Sequence, residues 1–201
     1  IGFLWKRTGT SCLNLKETHE IVRLLRTLLD SIDESVLLVT ETNVPSQENL
    51  EYFGNGDEAH IIYNFSLSPL ILHALLSGDS TFLKRWMMTT APTSDNCTIL
   101  NFTASHDGIG LRPLEGILQK EDVSKMVELA KEFGGEVSTR DRHGVETPYE
   151  LNITFYDMLK GSFSGIDDYQ MERFIASQTI MMSVEGIPAF YIQSLFGSKN
   201  D

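Results

Sequence analysis

The 201-residue chain has only two cysteines, Cys12 and Cys97, and they form no CxxC or zinc-like spacing. They read as reduced core residues of a cytosolic protein, not as a disulfide framework or a zinc site. Basic residues are also scarce: 16 Lys and Arg stand against 28 Asp and Glu, a formal net charge of −12. A protein that tracks a phosphate backbone needs a cationic surplus where the nucleic acid lies, so no nucleic-acid partner is expected. No apolar run approaches the ~20 residues needed to span a bilayer, so no membrane partner is expected either. Residues 1–5 lack the charged n-region and cleavage site of a signal peptide. A Gly-rich phosphate loop and a nucleophile elbow are missing as well. Four Asn-X-Ser/Thr sequons occur, at Asn64, Asn96, Asn101 and Asn152. Two of them fall in strand-like apolar runs, so they read as chance.

What is present is an ordinary globular composition, 41% hydrophobic and 22% charged, which argues against disorder. The pattern alternates strand and helix. Asn14-Leu15-Lys16-Glu17 resembles a capping box, opening a helix whose apolar stripe runs Ile21, Leu24, Leu25, Leu28, Leu29 and Ile32. The unbroken run at 36–40 reads as a strand buried on both faces of a parallel sheet. Further strands are expected at 60–65, 98–103 and 187–192, with helices at 46–53, 70–76, 80–88, 121–133 and 168–182. Gly134 and Gly135 stop the fourth of these helices. Such alternation means parallel βα units. Four strands are too few for a closed barrel, so the sheet is open or belongs to a barrel whose first half is elsewhere. The long connection before 187 breaks the rhythm. It holds an apparent hairpin, 136–140 against 145–149, turning at His143-Gly144, and an excursion of that length reads as functional.

Glu41 stands at the C-terminal end of one expected strand, and His106 and Asp107 at that of another. In a parallel array these ends face one mouth. Two carboxylates converging there suit glycosidic chemistry, which needs an acid for the leaving oxygen and a second carboxylate at the anomeric carbon. A metal site is the competing reading of His106-Asp107. It needs paired ligands on helices, and His19, His60, His73 and His143 show no such spacing, so no metal is expected. His19 reads as a solvated helix residue and His73 as satisfied within a packed helix.

Val39-Thr40-Glu41-Thr42-Asn43 resembles the fifth-strand motif of the α-amylase superfamily, and Asn101-Phe102-Thr103-Ala104-Ser105-His106-Asp107-Gly108 resembles its seventh-strand motif. Gly186-Ile187-Pro188-Ala189-Phe190-Tyr191 is similar to the eighth strand. Tyr52-Phe53-Gly54-Asn55-Gly56-Asp57-Glu58-Ala59, Thr10-Ser11-Cys12 and the closing Leu195-Phe196-Gly197-Ser198-Lys199-Asn200-Asp201 narrow the resemblance to the sucrose-phosphorylase-like branch.

The resemblance implies an α/β fold, the C-terminal half (strands five to eight) of a (β/α)8 TIM barrel, with a long insertion, about 108–167, after strand seven. Residues 1–201 would be part of the catalytic barrel, with the N-terminal half-barrel, its nucleophilic Asp and a C-terminal β-domain absent. Glu41 would be the general acid/base, Asp107 the transition-state stabiliser and His106 a binder of sugar hydroxyls. Asn43, Arg112, Tyr149 and Glu150 would contact substrate or acceptor, with Arg140 or Arg142 as further phosphate candidates. Asn43 replaces a usual His and Glu150 a usual Gln, which makes glucosylglycerate and glucosylglycerol at least as good candidates as sucrose. The implied reaction is retaining phosphorolysis of an α-glucoside to α-glucose 1-phosphate, with inorganic phosphate as co-substrate, no cofactor and a cytoplasmic setting. Glu41 must hold its proton near neutral pH, which asks for burial and a neighbouring carboxylate such as Asp107. Hydrolysis or transglycosylation is the alternative within the superfamily; a non-catalytic sugar-binding fragment is the alternative outside enzymes. Open strand edges around Leu37 and Phe190 would invite self-association.

Overall fold

The computed structural model of the chain describes residues 1–90, 96–142 and 144–201. The expected turn residue His143 lies outside them, and the side chain of Arg142 is likewise not described. Four short strands, β1 (Val39–Thr40), β2 (Ile61–Tyr63), β3 (Thr98–Asn101) and β9 (Ile187–Pro188), form one sheet in the order β1-β2-β3-β9. Every pairing is parallel, with Val39 opposite Ile61, Ile61 opposite Thr98 and Leu100 opposite Ile187. Helices α1 (Lys16–Ile32), α2 (Ser46–Leu50), α3 (Leu67–Ser77), α4 (Thr81–Thr89), α5 (Lys120–Glu132), α6 (Gln170–Ser183) and α7 (Ile192–Leu195) complete the αβ alternation.

Helix α3 is apolar almost all round, and Leu67, Leu70, Ile71, Leu72 and Leu76 are all buried. That is the signature of a helix enclosed by its neighbours. It ends at Gly78, whose φ of +73° suits a residue without Cβ. The main core joins α3 to α5, α6 and the long connection through Leu114, Met126, Leu151 and Met158. A smaller cluster, Val22, Tyr52, Ala59, Ile62 and Ile99, sits under α1.

The long connection carries an antiparallel sheet of its own. In it β4 (Ile109–Gly110) pairs with β6 (Val145–Asn152), which pairs with β5 (Glu136–Arg142). The hairpin is therefore longer than expected, and its register shifts between Ser138 and Thr139. The small ribbon of β7 (Gly161–Ser162) and β8 (Gly165–Ile166) was not legible in the pattern.

Several local expectations are corrected. The run at 36–40 is not buried on both faces: Leu37 and Val39 are exposed while the alternate Leu38 and Thr40 are half-buried and buried, so only one face of β1 is covered, and Val36 before it is exposed too. The apolar stripe of α1 is open as well, with Ile32 81% and Leu24 56% exposed. The capping box does not form. The first capping residue is Leu15, Glu17 pairs with Arg7, and the Asn14 amide donates to Glu51. Cys97 is buried but Cys12 lies near the surface, and both are free thiols. His73 is buried between Phe82 and Phe163, yet its Nε2 has no hydrogen-bond partner and lies 3.8 Å from Asp122. Among the described residues no helix is long and apolar enough to cross a membrane.

Candidate active site

Parallel strands release their chains at one end of the sheet. Glu41 directly follows β1, and β3 leads through a short loop to His106 and Asp107. One ligand-type atom from each of Glu41, His106 and Asp107 lies within 4.8 Å of the other two. Asp107 Oδ1 is 3.6 Å from His106 Nε2, and the Asp107 N–H donates to Ser105 Oγ. All three side chains are exposed. Glu41 thus has the neighbouring carboxylate it was expected to need but not the burial. Among the described residues this is also the one group of three His, Asp or Glu side chains close enough to hold a cation.

The insertion packs directly on this cluster. A Cβ at Gly108 would stand 2.5 Å from the Leu151 carbonyl oxygen, so only glycine lets the loop lie against β6. Asn43 lies over Gly110 in the same way, and its Oδ1 is buried without a partner. Glu150 faces Gly108 and Asp107. Burial pushes its carboxyl above the usual range and the charge of Asp107 adds to this, while the Gly108 N–H opposes it. A cavity of about 300 Å³ opens beside His106 and Asp107, bordered by Asn152 and Phe155 of the insertion and by Tyr191 and Asn200. The C-terminal segment is pinned there: Thr154 N–H donates to Asn200 Oδ1 at 2.7 Å, and Asn200 N–H to the buried Asp157 carboxylate at 2.6 Å.

Arg112 and Tyr149 are placed differently. Tyr149 is the extra residue where the register of β5 and β6 shifts, with Ser138 opposite Glu150 and Thr139 opposite Pro148, so regular alternation breaks at this point. With Arg112 and Arg140 it lines a separate cavity against α5.

Sequence reasoning missed the support beneath Glu41. Its neighbour Thr42 is 4% exposed and lies beside the fully buried Tyr52, whose hydroxyl is pushed up to about 12 by burial. The ring of His19, expected in solvent, stacks on Tyr52 at 4.5 Å. His19 Nδ1 is 2.7 Å from the buried carboxylate of Glu58, which also accepts from Arg23 at 2.8 Å. The Tyr52–Ala59 motif was the available signal, but no period links it to His19.

No protein-family model matches the chain. It is 46% identical over its whole length to glucosylglycerate phosphorylase from Allomeiothermus silvanus and 44% to that of Escherichia coli. It is 29% identical to sucrose phosphorylase from Agrobacterium vitis. The relatives point to the sucrose and glucosylglycerate phosphorylase branch of the α-amylase superfamily.

The chain spans 37%, 36% and 39% of these three relatives' own lengths. The crystal structure of sucrose 6F-phosphate phosphorylase from Thermoanaerobacter thermosaccharolyticum matches all of this chain and 38% of its own, with a TM-score of 0.81. At 21% identity that likeness speaks for the fold. The fold seen here is α/β with a parallel sheet at its core, consistent with part of a (β/α)8 barrel.

Proposed function

We propose that the polypeptide carrying this chain is a retaining α-glucoside phosphorylase that transfers glucosyl to phosphate and releases α-glucose 1-phosphate. The convergence of Glu41, His106 and Asp107 at the ends of two parallel strands carries the reading. Relatives named glucosylglycerate phosphorylase at 42–46% identity support it. They also favour glucosylglycerate as the first substrate to test.

In this reading β1, β2, β3 and β9 are the fifth to eighth strands of the barrel, and 108–167 is the insertion that shapes the acceptor side. The first half-barrel and a terminal β-domain lie outside residues 1–201. The nucleophile is an aspartate of that first half. It attacks the anomeric carbon while Glu41 delivers its proton to the departing acceptor oxygen, and a β-glucosyl-enzyme forms. Phosphate then attacks the same carbon from the acceptor side. Glu41 takes back a proton, the bond to the aspartate breaks, and configuration is retained. Asp107 stabilises the positive charge that develops on the sugar ring, and His106 holds a sugar hydroxyl. Asn43 and Glu150 border the acceptor. Residues 1–201 alone are inactive in this reading, and the use of phosphate favours the cytoplasm.

A transglycosylase is the second reading, supported by 28% identity over 95% of the chain to trehalose synthase from Thermus thermophilus. Incubating the full-length enzyme with sucrose, glucosylglycerate and glucosylglycerol, with and without phosphate, separates the two. Phosphate-dependent release of glucose 1-phosphate is the expected result. Free glucose or isomerised disaccharide, formed equally fast without phosphate, would overturn the phosphorylase reading.

A further inference from the structure

A cavity of about 830 Å³ lies between α5 and the β5–β6 hairpin, and it shares no lining residue with the cavity beside His106 and Asp107. Its volume is in the range of small-molecule sites, roughly 300–1,000 Å³. Arg112, Lys120, Lys131 and Arg140 line it against Glu115 and Glu128, a local cationic surplus in a chain of net charge −12. Among the described residues none of these four cations has a carboxylate at salt-bridge distance. The Nε of Arg112 is buried without a hydrogen-bond partner, and a buried donor left unpaired is destabilising until something accepts from it. The rest of the wall joins the polar Gln119, Ser124 and Thr147 to an apolar and aromatic surface that includes Leu114, Val127 and the ring of Tyr149.

We propose that this cavity binds a small amphipathic anion, an apolar or aromatic body bearing a phosphate or carboxylate group. Guanidinium and ammonium groups recognise the oxyanion by charge-assisted hydrogen bonds. The leucine, valine and tyrosine surfaces take the apolar body out of water. A neutral sugar would leave the cationic groups without an oxyanion to pair with. The site is independent of the catalytic reading, because none of Glu41, His106 and Asp107 lines it.

Calorimetric titration of the full chain with phenyl phosphate, inorganic phosphate and phenol tests the proposal. One-site saturable binding of phenyl phosphate is expected, with weaker binding of inorganic phosphate and none of phenol. The Lys131→Ala/Arg140→Ala double variant alters two exposed side chains and should keep the wild-type circular dichroism and Tm. Its affinity for phenyl phosphate should fall about tenfold or more. His106→Ala should leave that affinity unchanged. Three results would each overturn the site: no saturable binding, equal affinity in the double variant, or loss of binding in His106→Ala, which would put the probe beside Asp107. Equal affinities for phenyl phosphate and inorganic phosphate would overturn the amphipathic class.

Discussion

A Cβ at Gly110 would stand 2.7 Å from Nδ2 of Asn43, so the loop after β1 and the first strand of the insertion touch through one side-chain amide. The amide is the far end of a side chain that is able to swing. Gly110→Ala therefore lowers stability by only about 1 kcal/mol, while displacing Asn43 raises the KM for the acceptor several-fold. Gly108→Ala behaves otherwise, because its Cβ would meet the backbone oxygen of Leu151 at 2.5 Å and neither partner yields easily. Its stability loss should be about 1–3 kcal/mol. Thermal unfolding of both variants checks the pair, and equal losses would contradict the geometry.

Glu41→Gln keeps the shape of the side chain and removes its proton transfer. In the full-length enzyme kcat should fall about 10²–10⁴-fold. The loss should shrink for a glucosyl donor whose leaving group needs no proton, such as glucosyl fluoride. Steady-state kinetics on both donors decide it, and a near-normal kcat on the disaccharide would remove Glu41 from the acid/base role.

Glu150 makes stability fall as pH rises. Its folded-state pKa is raised, first by burial and then by Asp107, above the ordinary 4.5. Below that value both folded and unfolded chains carry the proton. From 4.5 up to the raised value the folded chain binds more protons than the unfolded one, so stability declines across that window and stays lower above it. Glu150→Gln removes the titration, so its Tm should lose less than wild type between pH 4.5 and 7. Parallel Tm–pH profiles would refute this by declining together.

The elements written in long periods were legible in the sequence: the all-apolar α3, the amphipathic α5 and the alternating hairpin. Glu41, His106 and Asp107 were legible as polar residues placed just after β-branched or apolar runs. What was not legible depended on partners distant in the chain. The 36–40 run states what a strand would bury, not which neighbour it has. The Asn14–Glu17 pattern is a local cap signal, but Arg7, His19 and Glu51 offer those side chains other partners. Tyr149 and Glu150 both read as acceptor contacts, although Tyr149 sits at an irregularity of the hairpin and lines the cavity against α5, while Glu150 meets Gly108 and Asp107. Arg112 lies in a short turn with no period to fix its direction.

The segments leading into β1 and out of β9, the two edge strands of the parallel sheet, carry exposed apolar side chains. Before β1 in the chain these include Leu28, Ile32 and Leu37; after β9 they include Phe190, Leu195 and Phe196, the last 75% exposed. Taking such surface out of water contributes roughly 25 cal/mol per Å², and an unpaired strand edge offers backbone groups to a second chain. The 201-residue chain should therefore self-associate as its concentration rises. Leu28→Lys/Ile32→Lys should suppress this through charge repulsion and lost apolar area. Since both positions are exposed, each substitution should change stability by no more than about 0.5 kcal/mol. Sedimentation velocity over a concentration series measures the effect. A wild-type chain that sediments as a monomer throughout would show that these faces do not drive association, and a double variant that associates equally well would move the contact to the β9 side.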